Sequence, residues 1–158
     1  MIPSDKFKFE VIDQGSTKKL LLKGVIDEDS TFESILKLSS PLVLNFKDIT
    51  SINSCGIRSW VNFLKDLGET KVVYEECPPL IVRQLNMVPS FAGTATISSV
   101  YVSYVCDNCE AEKKILVDAD KFRTKQSLQI AESFPCESCK EGEMELDSHP
   151  KQYFAFVK

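Results

Sequence analysis

The chain has 158 residues, 43% of them hydrophobic, and a formal net charge of -4. This composition is typical of a folded globular protein, and the mild charge gives no reason to expect a strongly basic or acidic partner. Met1 to Lys6 lack the charged start and apolar run of a signal peptide, and no stretch approaches the ~20 apolar residues of a spanning helix. We therefore expect a cytoplasmic protein that does not contact a membrane.

Two strands and a short helix are predicted first along the chain. Residues 7–12 alternate in polarity and residues 20–26 form an apolar run, so together they predict a hairpin. Ser30 and Glu33 have the spacing of a capping box, which predicts a helix starting at this point. The largely apolar run 42–46 follows and predicts a central strand of a partly parallel sheet.

A turn of small, mostly polar residues at 51–56 leads into the second predicted helix, which ends at Gly68. Its apolar stripe comprises Ile57, Trp60, Val61, Leu64 and Leu67. Phe63 lies off this stripe, so we expect it to be exposed or covered by the C-terminal part of the chain. A strand at 71–74 and a helix at 78–88 follow. The order β-β-α-β-α-β-α predicts an α/β domain with helices packed on a mixed sheet.

Three segments of this region resemble the STAS domains of anti-sigma-factor antagonists and sulphate transporters. They are residues 22–27, 42–46 and 49–57. The resemblance spans roughly residues 7 to 105 and implies a STAS-like fold. In that family the loop into the second helix reads Asp-Ser-Ser-Gly or Asp-Ser-Thr-Gly. The first serine of this loop is phosphorylated by a partner kinase that is itself an anti-sigma factor.

The resemblance places Ser54 at the phosphorylated position, within a partner-binding loop formed with Asn53, Cys55 and Gly56. Asn53 stands where the family has Asp, and Cys55 stands where it has Ser or Thr. The resemblance implies a non-enzymatic regulatory module whose partner is a protein, such as an anti-sigma-factor-type kinase. A constitutive docking scaffold is the alternative. From the residues alone, a polar side chain at the start of a helix also serves as a cap.

Four cysteines form two C-x2-C pairs in the last third of the chain. They are Cys106, Cys109, Cys136 and Cys139. A two-residue spacer lets the backbone turn around one ion, so the two knuckles predict a tetrahedral site for one structural Zn²⁺. Two redox dithiols or four unrelated buried thiols are the alternatives. Predicted strands at 143–146 and 152–157 complete a pattern that looks like a zinc ribbon.

These patterns predict two modules: a STAS-like domain at residues 1–94, with its last strand continuing to about residue 105, and a zinc-ribbon module at residues 95–158. From residue 95 onward there are 11 acidic and 8 basic residues, which makes a nucleic-acid partner unlikely. No nucleophile and base are paired in the sequence, so we predict that the chain is not an enzyme.

Overall fold

The first sheet begins with the predicted hairpin. In the computed structural model, which describes residues 6–38, 40–122 and 130–157, β1 spans Lys8–Gln14 and β2 spans Thr17–Ile26. The two strands pair antiparallel with an unbroken register. Gly15 closes the turn between them with φ at 83°, in the left-handed region that glycine adopts without strain.

Three further strands complete the first sheet, and three helices lie between its strands along the chain. The strands are β3 (Leu42–Ile52), β4 (Val72–Glu75) and β5 (Thr96–Ile97), and the helices are α1 (Glu33–Leu36), α2 (Ser54–Leu67) and α3 (Pro79–Met87). The strand order is β1-β2-β3-β4-β5, with only the first pair antiparallel. The predicted α/β class with a mixed sheet is therefore confirmed.

The start of α1 differs from the predicted capping box. Its N-cap residue is Phe32, which makes no side-chain capping bond. Ser30 instead lies in the preceding turn, where its Oγ accepts a hydrogen bond from the backbone N of Asp27 at 2.9 Å. The capping-box prediction was wrong because a serine hydroxyl can satisfy a nearby turn N–H as well as a helix N–H.

An aromatic cluster forms the core between the first sheet and α2. Trp60 Nε1 donates to the Tyr74 hydroxyl at 2.9 Å, and that hydroxyl donates to the carbonyl oxygen of Phe91 at 2.7 Å. Phe63 is also buried, and its ring centroid lies 5.0 Å from Trp60 and 5.2 Å from Phe32. The expectation for Phe63 was therefore wrong, because the turn before α1 covers it.

The second sheet is antiparallel and contains the strands that flank the cysteine pairs. Its strands are β6 (Ser99–Cys106), β7 (Glu112–Asp118), β8 (Ser133–Pro135) and β9 (Glu143–Leu146), in the order β7-β6-β9-β8. The first sheet ends at Ile97, so the strand that was expected to continue it to about residue 105 pairs in the second sheet instead. The boundary between the two predicted modules stays a prediction.

The beginning of β6 also contacts residues that directly follow β4. The backbone N of Cys77 donates to the Ser99 carbonyl at 3.2 Å, and the backbone N of Tyr101 donates to the Cys77 carbonyl at 2.8 Å. The Tyr101 hydroxyl donates to Glu76 Oε1 at 2.9 Å. One strand therefore contacts the end of β4 with its first residues and reaches Cys106 with its last.

The C-terminal segment is a short helix where a strand was predicted. Helix α4 spans Pro150–Tyr153, and Phe154 behind it is fully buried. The strand prediction for 152–157 was wrong because Pro150 favours the first turn of a helix, while the following aromatic residues pack around Phe122. No helix in the described residues has the length and apolar character needed to cross a membrane.

Candidate metal centre and partner loop

The segment Asn53–Gly56, which was predicted as part of a turn, consists of the N-cap Asn53 and the first residues of α2. Asn53 has an extended backbone, and its Oδ1 accepts a hydrogen bond from the backbone N of Gly56 at 2.8 Å. The backbone N of Asn53 donates to the Ile26 carbonyl at 3.2 Å. A side-chain cap of this kind contributes about 1 kcal/mol to helix stability. Asn53 therefore caps α2 and attaches its start to the end of β2.

Gly56 permits the close approach of α2 to β2. A Cβ at this position would lie 2.3 Å from the carbonyl oxygen of Ile26 and 3.0 Å from the backbone N of Asp27. Both are backbone atoms, so neither can rotate away from a larger residue. The glycine of the loop is thus required by packing, whatever the loop binds.

Ser54 is the first residue of α2 and is exposed, as is Cys55 beside it. Among the described residues, the Ser54 hydroxyl makes no hydrogen bond. That Ser54 is phosphorylated, and that the loop Asn53–Gly56 binds a partner, remain predictions.

An acidic residue that the sequence analysis did not single out joins this loop. Asn53 Nδ2 donates to Glu28 Oε2 at 2.9 Å, and this bond holds the pKa of Glu28 below its ordinary value. The two residues lie 25 positions apart. The only local signal for Glu28 was its place in the acidic run 27–29 after β2.

The four predicted metal ligands come together at one end of the second sheet. Cys106 ends β6, and Cys136 directly follows β8. All four Sγ atoms lie within 4.8 Å of one another, with 3.7 Å between Cys106 and Cys139 and 3.7 Å between Cys109 and Cys136. Four cysteines in this arrangement are able to hold a metal ion.

The sulfur spacing fits the geometry of a zinc site. A Zn–S bond of about 2.3 Å in a tetrahedron places its sulfurs about 3.8 Å apart, close to the two distances of 3.7 Å. A disulfide would need about 2.05 Å between the sulfurs, and all four cysteines are free. The donor set is therefore four unlinked thiols that are able to hold a metal ion, and two of their sulfur–sulfur distances match those of a tetrahedral zinc site.

N–H groups surround these sulfurs. The backbone N atoms of Asn108 and Cys109 each donate to the Cys106 Sγ at 3.3 Å. The Asn108 side-chain amide, followed by backbone N–H groups of Glu141 and Gly142, lowers the pKa of Cys139 to about 6. The neighbouring cysteines act in the opposite direction on Cys109, whose pKa they raise to about 12. The N–H donors therefore favour the thiolate form, which is the form that binds a metal, at Cys139 in particular.

Comparison with known proteins gives a likeness among solved structures. No protein-family model matches this chain, and no curated protein matches it. Among solved structures, an anti-sigma factor antagonist from Mycobacterium paratuberculosis is similar, with a TM-score of 0.49 and 19% sequence identity. The match covers 61% of this chain and 87% of that chain.

Proposed function

We propose that this chain is a non-enzymatic regulatory module that binds a protein partner through the loop Asn53–Gly56 and the start of α2. The observation that carries this proposal is the exposure of Ser54 at the first position of a capped helix. The resemblance of residues 49–57 to the STAS loop supports the same surface. An anti-sigma-factor-type kinase is the partner class that this resemblance implies.

Phosphorylation of Ser54 is the proposed switch. A phosphate adds about -1.5 to -2 charges, and the positive end of a helix dipole favours negative charge by roughly 0.3 to 2 kcal/mol. The fold therefore tolerates the modification. A partner surface complementary to the neutral loop would instead face a desolvated negative charge, which costs several kcal/mol at an interface. Since about 1.4 kcal/mol is tenfold in affinity, part of this penalty is enough to release the partner.

We also propose that Cys106, Cys109, Cys136 and Cys139 hold one structural zinc ion. Four thiolates close the coordination sphere and leave no position for a substrate or a reactive water. Zinc binding to such sites contributes about 10 to 16 kcal/mol to folding, more than a small module gains from its apolar core. The ion would therefore hold the knuckles together and take no part in chemistry.

The test of the switch compares wild type with Ser54→Ala and Ser54→Asp. Each protein is used to capture partners from native cytosol, and chain isolated from its native cells is analysed by mass spectrometry for phosphate. We expect the Asp variant to lose the captured partner at least tenfold, the Ala variant to retain it, and phosphate to be found on Ser54. Ser34→Asp, an exposed residue in α1, controls for added charge elsewhere.

Equal capture by all of these variants, with no phosphate on Ser54, would contradict the switch. The constitutive docking scaffold would then be the better description. Capture that is lost equally in Ser54→Asp and Ser34→Asp would instead show that the partner responds to net charge and does not use this loop.

A further inference from the structure

A spacer residue of the first cysteine knuckle reaches across to the second knuckle. Asn108 lies between Cys106 and Cys109, and its side-chain Nδ2 donates to the Sγ of Cys139 at 3.5 Å. Cys139 lies 31 positions further along the chain and belongs to the other knuckle. A side chain of one knuckle thus contacts a metal-ligand sulfur of the other, in addition to the backbone donors around the site.

The two knuckles are held in the alignment that this bond requires. Asp107 Oδ1 accepts from the backbone N of Glu143 at 2.9 Å, and the backbone N of Asp107 donates to the Glu143 carbonyl at 3.0 Å. A Cβ on Gly142 would lie 2.6 Å from the Cβ of Asn108 and 2.5 Å from the Cys106 Sγ. The backbone at Gly142, after the second knuckle, therefore lies directly against the side of the first knuckle and close to the exposed residue Asn108.

The second knuckle offers no equivalent side chain. Ser138 occupies the position that corresponds to Asn108, and within the described residues its hydroxyl makes no hydrogen bond to a cysteine sulfur. Cys139 therefore accepts an N–H from a spacer side chain of the first knuckle, whereas in the part of the chain that the structure describes no spacer side chain of the second knuckle bonds to a sulfur of the first. This asymmetry distinguishes the role of Asn108 from a general requirement for a polar spacer.

We propose that Asn108 is a positioning residue for the metal centre, which orients Cys139 and slows the release of zinc. This inference rests on the proposed zinc site. Four thiolates around Zn²⁺ leave a net charge of about -2, and an N–H donor stabilises a sulfur that carries part of that charge. Outer groups that hydrogen-bond to metal ligands typically change metal affinity by 10- to 100-fold. The Asn108 bond is one amide at a partly exposed sulfur, so we expect an effect of about tenfold.

The experiment uses the full chain loaded with one zinc per molecule. Wild type, Asn108→Ala, Asn108→Asp and Ser138→Ala are mixed with excess of a chromophoric chelator, and the rate of zinc transfer is measured. We expect about tenfold faster transfer from Asn108→Ala, still faster transfer from Asn108→Asp because its carboxylate repels the thiolate, and no change in Ser138→Ala. The same proteins loaded with Co²⁺ should show a red-shifted sulfur-to-cobalt charge-transfer band only in the two Asn108 variants.

Transfer from Asn108→Ala within twofold of wild type, or an unshifted cobalt band, would overturn the proposal. Loss of folding in Asn108→Ala with zinc in excess would also count against it, because removing one hydrogen bond should leave four ligands able to bind. Failure of wild type and Ser138→Ala to hold zinc would instead refute the zinc site itself.

Discussion

Both polar atoms of the Asn53 side chain make hydrogen bonds. Its Oδ1 accepts from the backbone N of Gly56 and caps α2, and its Nδ2 donates to the Glu28 carboxylate. An Asp at this position would keep the cap, because aspartate caps helices as well as asparagine does. It would lose the donor and face the Glu28 carboxylate with a second negative charge. Asparagine at residue 53 thus makes two contacts that aspartate could not make together.

We therefore expect Asn53→Asp to destabilise the protein at pH 7, since both carboxylates are ionised there. The Glu28 pKa is lowered in the native state, so its favourable contact is present above the unfolded pKa and is lost as pH falls through the native pKa. The difference in the free energy of unfolding between wild type and Asn53→Asp should accordingly become smaller as pH falls below about 4, where carboxylates take up protons. Urea unfolding at pH 7 and at pH 3.5 measures both effects.

Adding Glu28→Gln to Asn53→Asp should restore stability at pH 7, because a glutamine amide can donate to the aspartate. Glu10→Gln, on exposed β1, should not restore it. If Asn53→Asp were as stable as wild type with Glu28 intact, the pairing of these two side chains would have no energetic role.

At the scale of elements, α2 shows where helical periodicity is informative and where it fails. The apolar stripe predicted the helix, yet its fully buried face runs through Gly56, Trp60 and Phe63. The missing methyl group of Gly56 brings the helix start against β2, and the turn before α1 covers Phe63. Neither effect is visible in the spacing of apolar residues, because both depend on segments distant in the sequence.

Phe63→Ala should therefore be strongly destabilising. Phe63 is 3% exposed, and removing a buried phenylalanine costs about 3 to 5 kcal/mol, since its packing contacts are lost and a cavity remains. Met87→Ala on α3, at a position that is 69% exposed, is the matched control and should stay within about 0.5 kcal/mol of wild type. Chemical denaturation followed by tryptophan fluorescence reports both. A loss below about 1 kcal/mol for Phe63→Ala would mean that the aromatic cluster is loosely packed.

Two features of the structure were predicted correctly from short sequence patterns. The β1–β2 hairpin follows from alternation and turn residues, and the clustering of four cysteines follows from two knuckles that each turn around one point. The contact between Asn53 and Glu28, the bond from Asn108 to Cys139 and the helix at Pro150–Tyr153 were not predicted. The contact between Asn53 and Glu28 depends on the packing of segments that lie 25 positions apart, and the Asn108 bond depends on how the two knuckles face each other. The C-terminal helix had a local signal in Pro150, which the strand prediction for 152–157 did not use.

At the scale of the whole molecule, we expect the proposed zinc ion to be the main source of stability for the end of the second sheet that carries the cysteines. A typical protein hydrogen bond contributes about 1 kcal/mol, so the few bonds between the knuckles fall far short of the roughly 10 to 16 kcal/mol that zinc supplies. We expect purified protein to contain close to one zinc per chain. Cys136→Ser should lose the zinc and the amide protection of β8, β9 and the end of β6 near Cys106, while the first sheet and the start of β6 stay protected.

Metal analysis and hydrogen exchange by mass spectrometry measure this outcome. Cys55→Ser, which alters an exposed cysteine outside the cluster, should keep both zinc and protection. A metal-free Cys136→Ser protein whose second sheet stayed as protected as wild type would show that the apolar core alone holds these strands.

Strand β6 belongs to the second sheet and also bonds to residues that follow β4 of the first sheet. This limits where the chain can be cut into fragments that fold. Its first residues bond to Cys77 and Glu76, and its last residue belongs to the cysteine cluster. A fragment that began at residue 95 would carry this strand away from Cys77, and a fragment that ended at residue 94 would leave the Cys77 backbone without its partners. Recombination at residue 94 would thus remove backbone hydrogen bonds from both predicted modules, which are joined by β6.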